Sequence, residues 1–221
     1  EVSAGALYLQ ETSGHVTGNI FVSNSAEESA GAVGILNSSN LTLLKNEFDA
    51  NNGSNKGGAI YLSGSDGIFI VNNLIVNNLG LEGGAVSLQS STAELYNNTI
   101  INNYSLNGGA LFMYESNAVL MNNICYTNFA NQDGAEFYIS DSNLEISFCN
   151  YENADNSIFI LGDSSLDNEN NIFNNPEFSN GELYPYQLSQ NSPCVDSGNP
   201  ASNSWSYLPQ TDLAGNNRII G

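Results

Sequence analysis

The stretch Gly57–Val86, "GGAIYLSGSDGIFIVNNLIVNNLGLEGGAV", begins with Gly-Gly-Ala-Ile and ends with Gly-Gly-Ala-Val. The same signature, a small residue followed by Gly, Ala and an apolar residue, recurs along the chain. The Gly before the Ala lies at positions 5, 31, 58, 84, 109 and, in a weaker copy, 134, so the spacing is 25 to 27 residues. A fixed period of this length is typical of a solenoid, in which each repeat packs on its neighbours.

Each repeat contains three short apolar bursts. In the first burst, residues two and four after the Gly, such as Ile60 and Leu62, share one face of a strand. The turns between the bursts are rich in Asn, Ser and Gly and leave no room for a helix. One repeat therefore predicts one coil of a three-faced parallel β-helix, with like side chains stacked about 4.8 Å apart. The first inward stack should contain Leu7, Val33, Ile60, Val86 and Leu111.

Asn occupies two fixed positions of the repeat, on either side of the third burst. The first set is Asn19, Asn46, Asn73, Asn98 and Asn123, and the second is Asn24, Asn51, Asn78, Asn103 and Asn128. Asn tolerates the left-handed backbone conformation that a sharp corner needs, and its amide can bond the Asn above and below it. We therefore predict two Asn ladders at the corners of the coils.

The composition limits the classes of partner. The chain has 221 residues with 3 Lys+Arg against 23 Asp+Glu, a net charge of −20. Such a surface repels nucleic acid, anionic membranes and polyanionic glycans. No apolar run approaches the roughly 18 residues of a membrane helix. The three cysteines, Cys125, Cys149 and Cys194, have no paired spacing, and we expect buried thiols.

Two features resemble known bacterial proteins. The Gly-Gly-Ala-apolar signature combined with Phe-x-x-Asn, as at Phe21–Asn24 and Phe48–Asn51, resembles the repeats of chlamydial polymorphic outer-membrane proteins. The tail, "NIFNNPEFSNGELYPYQLSQNSPCVDSGNP" at 171–200 and "TDLAGNNRIIG" at 211–221, looks like the closing segment of surface β-helix proteins of the "choice-of-anchor" type. This resemblance implies a right-handed β-helix that is secreted or attached to the cell surface. Such β-helices serve as adhesins, filaments and, in related branches, polysaccharide-cleaving enzymes.

The resemblance and the loss of the repeat after residue 135 divide the chain in two. We predict coils over residues 1–170 and a closing segment over residues 171–221 that covers the last coil, with Trp205 and the prolines blocking further stacking. The first repeat starts almost at Glu1, and family members usually continue past the tail. We therefore expect the native chain to extend beyond both ends.

Candidate catalytic residues are few. Lyases of this fold use Arg or Lys, but Lys45, Lys56 and Arg218 fall at unrelated positions. Glycoside hydrolysis needs two carboxylates roughly 5 to 10 Å apart. Glu115 lies six residues after its Gly and Asp141 seven, but the sixth repeat is slipped by one residue, so the two should stack at one corner. They are the candidates for catalysis and for calcium; the alternative is that both are solvated surface carboxylates.

Outward aromatic residues are the candidates for ligand binding. Tyr8, Tyr61 and Phe112 lie three residues after the Gly, and we expect Tyr114 and Tyr138 to extend this column. A row of exposed rings can stack on sugars or bury against a partner. The alternative is that the rings simply suit strands and are shielded by loops.

These patterns predict an all-β, right-handed, three-faced parallel β-helix with a C-terminal capping segment. The function we expect is a non-enzymatic extracellular or cell-surface stalk, filament or adhesin segment, with a glycan or another surface protein as partner. The alternative is a carbohydrate-active β-helix that binds or hydrolyses a neutral polysaccharide. Calcium is the one cofactor considered, and no membrane span is expected.

Overall fold

The computed structural model describes residues 3–182 and 185–204 together with Thr211, Leu213 and Gly215. The chain winds through six coils and a partial seventh, and the strands of successive coils pair in parallel. Ile60 pairs with Val33 on one side and with Val86 on the other, and the series extends to Leu7 and Leu111. The predicted inward stack is therefore confirmed.

The strands form four sheets, each with one strand per coil. The first sheet consists of Leu7–Gln10, Val33–Leu36, Ile60–Ser63, Val86–Gln89, Leu111–Tyr114, Phe137–Ser140 and Ile158–Leu161. The second consists of Gly14–Thr17, Leu41–Leu44, Ile68–Val71, Thr92–Tyr96, Asn117–Met121, Asn143–Ser147 and Ser165–Glu169. The third consists of Ile20–Val22, Glu47–Asp49, Leu74–Val76, Thr99–Ile101, Ile124–Tyr126 and Asn150–Tyr151. The fourth consists of Ser25–Ala26, Asn52–Gly53, Leu79–Gly80, Tyr104–Asn107 and Phe129–Asp133. A 3₁₀ helix at Pro200–Ser204 follows in the tail.

The fourth sheet is short and was not among the three predicted faces. Its strands have two to five residues, too few to show a clear alternation. The Gly of the repeat signature makes it possible, because a Cβ on Gly84 would lie 2.5 Å from the Gly109 carbonyl oxygen and 2.8 Å from the Tyr104 nitrogen. In each of the first five coils the first sheet begins in close backbone contact with the fourth sheet, and a side chain larger than that of Gly would not fit there. The signature is therefore repeated from coil to coil.

A bulge explains the slip in the sixth repeat. Phe129–Asp133 has five residues against the four of Tyr104–Asn107, and the pairing shifts register between Ser105 and Asn107. As a result Ala135 takes the Gly position and Glu136 takes the Ala position, since Leu111 pairs with Phe137. Among the described residues the fourth sheet ends with this strand, so Ala135 faces no sixth-coil strand of that sheet.

Both predicted Asn ladders are confirmed. The Asn78 backbone N–H and side-chain Nδ2 donate to Asn103 Oδ1 at 3.0 and 2.9 Å, and the other members repeat this arrangement. A third ladder, which the sequence did not lead us to expect, runs through the first corner. There each backbone N–H donates to the Ser Oγ of the next coil, as from Ser38 to Ser65 at 3.1 Å. Its acceptors are Ser38, Ser65, Ser91, Ser116, Ser142 and Ser164.

The described part of the tail lies against the solenoid. It starts beside the sixth coil, where Asn150 Nδ2 donates to the Asn174 carbonyl oxygen at 2.9 Å. It then contacts the side of the solenoid. Asn122 Oδ1 accepts a bond from the Asn199 N–H at 2.8 Å, and Lys45 Nζ donates to Thr211 Oγ1 at 2.5 Å. The described tail thus runs back along the corner between the second and third sheets. Trp205, Pro209 and Arg218 lie outside the described residues.

Candidate functional site

The predicted aromatic column exists on the outer face of the first sheet, with one correction. Tyr61 and Phe112 both pair with Ser87, and Phe112 stacks on Tyr138 with ring centroids 4.9 Å apart. Tyr114 does not belong to the column. It pairs with Gln89 and Ser140, because it lies two residues further along its strand and so stands in the neighbouring outward column.

Most of this column is shielded from solvent. Tyr8 and Tyr114 are 41% and 38% exposed, whereas Tyr61 and Phe112 are 4% and 8% exposed. The Tyr61 hydroxyl donates to Gln89 Oε1 at 2.6 Å. The rings of Phe112 and Tyr138 also cover one face of each other. Of the five predicted rings, Tyr8 and Tyr114 are therefore the most accessible for stacking.

Glu115 and Asp141 stack at the first corner, as the sequence predicts. Tyr114 pairs with Ser140, and the two acidic residues that follow them adopt left-handed conformations with φ of 49° and 48°. Glu115 Oε2 accepts a bond from Ser90 Oγ at 3.2 Å, and Asp141 Oδ1 accepts one from the Asp163 N–H at 3.2 Å. A hydrogen bond to Glu115 and then the charge of that carboxylate raise the pKa of Tyr114. This corner combines two carboxylates with an exposed ring.

The calcium prediction depends on these two residues alone. Within the described part of the chain, no three His, Cys, Asp or Glu residues group closely enough to hold a metal ion. Calcium normally takes six to eight oxygen ligands. None of the helices described has the length and hydropathy needed to cross a membrane.

A buried carboxyl group lies inside the sixth coil at Glu136, which sequence reasoning missed. Its side chain is fully buried, and its Oε2 accepts a bond at 2.7 Å from Nδ2 of Asn128, the last Asn of the second ladder. The Oε1 atom has no partner among the described residues. Burial raises the pKa of Glu136 well above its usual value. The signal available in the sequence was a Glu at the repeat position that Ala occupies in the earlier coils.

The cysteines are free thiols. Cys125 and Cys149 are buried as predicted, and burial raises the pKa of Cys149 to about 12. Cys194 is partly exposed rather than buried, because it lies in the tail, where its Sγ accepts a bond from Asn150. Raised thiol pKa values keep these groups protonated and unreactive.

An exposed apolar surface on the coils lies around the fourth sheet, and we call it the outer patch. It consists of Leu79, Leu81, Tyr104 and Phe129, which are 41% to 50% exposed. Leu79 pairs with Tyr104 and Tyr104 with Phe129. The two aromatic rings stack with centroids 5.1 Å apart and planes 18° apart. Leu79, Tyr104 and Phe129 directly follow Asn residues of the second ladder. This position in the sequence indicates an outer patch only once the fourth strand of the coil is known.

Carboxylates surround the outer patch. In the second coil Asp49 accepts a bond from Asn77 Nδ2 at 2.8 Å, so a carboxylate lies at the corner that leads into Leu79. Lys56, the one described cation nearby, forms an ion pair with Glu82, which follows Leu81 in the chain. The other two carboxylates are Asp133, at the end of the Phe129 strand, and Glu152, whose charge acts on Tyr126. The patch is therefore an apolar centre with an acidic rim.

Comparison with known proteins agrees with this architecture. A family model described as "Right handed beta helix region" matches residues 4–175. No curated protein and no solved structure matches the chain. The matched range runs from the first coil to just beyond the last strand, Ser165–Glu169. The chain therefore belongs to the right-handed β-helix family.

Proposed function

We propose that this chain is a non-enzymatic structural and adhesive segment of a secreted or surface-attached bacterial protein. The observation that carries the proposal is the outer patch, in which four apolar side chains from three successive coils stay 41% to 50% exposed. Contiguous exposed apolar surface on a soluble protein usually marks an interaction site. The resemblance of the repeats and tail to bacterial surface proteins supports the extracellular location.

The solenoid beneath the patch is suited to a structural role. Backbone pairing runs through the coils in four sheets, and three side-chain ladders bond the corners at 2.7–3.3 Å. Each added ladder bond fixes the position of a coil relative to its neighbours. A patch built on such a support keeps its shape in the absence of a partner, which lowers the entropy cost of binding.

Bead adhesion tests the proposal. Beads coated with the protein are placed on surfaces that carry a neutral polysaccharide, an anionic polysaccharide or hen lysozyme as a cationic protein. We expect retention on at least one coating, competition by soluble protein, and no loss in a variant with Glu115→Gln and Asp141→Asn. If no coating retains the beads, the adhesive role is wrong. If the protein releases reducing ends from the polysaccharide, the non-enzymatic role is wrong.

A second candidate function is activity on a neutral polysaccharide. The specific observation in its favour is the first corner, where exposed Tyr114 adjoins Glu115 and Asp141 stacks on Glu115. Carboxylate pairs of this kind can protonate a glycosidic oxygen and activate water. This function predicts reducing-end release from a neutral β-glucan that Glu115→Gln abolishes and that Glu94→Gln, on the second sheet, leaves intact. Equal rates in both variants would contradict it.

A further inference from the structure

We propose that the outer patch docks a cationic amphipathic helix of a protein partner. The proposal deepens the adhesive function above and rests on it, because it names the chemistry of the partner at the same surface. Its three arguments are the charge around the patch, the orientation of the aromatic rings, and the dimensions of the exposed strip.

The charge argument concerns the rim. Four carboxylates lie around the patch, namely Asp49, Glu82, Asp133 and Glu152, and the ion pair with Glu82 neutralises Lys56, the nearby described cation. An apolar centre with an acidic rim attracts a partner that presents an apolar stripe with Lys or Arg along its margins. A second copy of this chain, with a net charge of −20, is repelled instead.

The ring argument separates a protein partner from a glycan. Sugars stack on open faces of aromatic rings, but Tyr104 and Phe129 lie nearly parallel, with planes 18° apart, so each ring covers one face of the other. The neighbouring exposed residues of the patch, Leu79 and Leu81, offer no ring at all. Aromatic edges and aliphatic side chains together suit the apolar side chains of a protein, and buried aromatic anchors often dominate such interfaces.

The dimensions of the outer patch favour a helix that lies along the strands, perpendicular to the solenoid axis. The patch covers three rungs of the fourth sheet, from Leu79 to Phe129, so its height along the solenoid axis is about 10 Å, two spacings of about 4.8 Å. An α-helix with its side chains is about 10–12 Å in diameter. One helix that runs along the rungs, perpendicular to the solenoid axis, would therefore cover the patch and bring its basic margins to Asp49 below and Asp133 beside it.

A designed peptide can test this docking. The probe is an 18-residue helix with Leu on one face and Lys on the other, and the matched peptides replace Lys by Glu or scramble the order of the same residues. Binding is measured by fluorescence anisotropy at physiological salt. We expect Phe129→Ala and Tyr104→Ala each to weaken binding of the ordered Lys peptide at least tenfold, as anchor residues do. Leu161→Ala, an equally exposed apolar residue on the first sheet, should change it less than about twofold.

Paired charge variants test the rim. Asp49→Asn with Asp133→Asn should weaken binding and flatten its salt dependence, whereas Glu145→Gln with Asp167→Asn, on the second sheet, should have a smaller effect. Circular dichroism of each variant confirms that the fold is kept. Equal effects of Phe129→Ala and Leu161→Ala, equal binding of the scrambled peptide, or Phe129-dependent binding of a neutral polysaccharide would each overturn the proposal. If beads of Phe129→Ala protein still adhere fully, the adhesive function stands and the assignment of this surface fails.

Discussion

Replacing one Asn in the middle of the second ladder should be far more costly than replacing the same residue at its end. Asn78 is fully buried, and its Nδ2 donates to the Phe48 carbonyl oxygen at 3.0 Å and to Asn103 Oδ1 at 2.9 Å. Its Oδ1 accepts the Asn51 backbone N–H and Nδ2, both at 2.9 Å. Asn78→Ala therefore removes four hydrogen bonds inside the solenoid.

The cost follows from the groups left without partners. Asn103 Oδ1 still accepts the backbone N–H of residue 78, and the Phe48 carbonyl keeps its place in the parallel pairing with the next strand, but the Asn51 N–H and one Asn51 amide hydrogen lose their partners. An unpaired buried polar group costs about 1–3 kcal/mol. Allowing for some relaxation around the smaller side chain, we expect Asn78→Ala to lower the free energy of unfolding by about 4 kcal/mol.

Asn24 provides the matched control in the first coil. Its Nδ2 bonds Asn51 Oδ1 at 2.9 Å, and the backbone N–H of residue 24 keeps Asn51 Oδ1 bonded after substitution. Asn24→Ala should therefore cost about 1 kcal/mol. Urea unfolding of both variants, extrapolated to water, measures the difference. If the two variants differ by less than about 1 kcal/mol, the ladder does not stabilise the interior as we argue.

Three further predictions concern other positions. Gly84→Ala should destabilise the protein by about 3 kcal/mol or more in urea unfolding, because the new methyl meets the Gly109 carbonyl oxygen and the Tyr104 backbone, whereas Ala135→Gly should cost about 1 kcal/mol or less. Burial raises the pKa of Glu136 above its usual 4.5, so the stability it contributes is present below that pH and is lost as the pH rises through the folded-state pKa. Glu136→Gln should remove this slope from the pH dependence of unfolding; an unchanged slope would assign it to other groups. Ile60→Asp should cost several kcal/mol since it buries an unpaired charge, while Thr42→Asp on an outer face should be nearly neutral by the same urea titration.

The sequence was sufficient to predict those parts of the fold that depend on local residue patterns. The inward stack of Ile60 and the ladder of Asn78 follow from a fixed period and from the alternation of a strand. The stacking of Glu115 on Asp141 also follows, once the slip is counted. The fourth strand was missed because two residues such as Asn52–Gly53 carry no periodic pattern, and its evidence lies in the close approach of Gly84 to another strand.

The functional surface was harder to predict because exposure depends on distant parts of the chain. Tyr61 and Phe112 satisfy the pattern of outward residues, yet neighbouring segments bury them. Tyr104 and Phe129 are exposed because they sit on a strand that the pattern did not reveal. The course of the tail depends on contacts such as Lys45 with Thr211, which no repeat position specifies.

The contact of Lys45 with Thr211 alters how the solenoid should unfold. In an array where each coil touches only its neighbours, the terminal coils fray independently of the rest. Here Thr211 bonds both Lys45 of the second coil and Asn72 of the third, while Asn199 bonds Asn122 of the fifth. The tail thus connects coils that are not adjacent to one another. Opening of the fifth coil should therefore loosen the tail contacts at the second and third coils, so these coils should unfold together instead of one at a time.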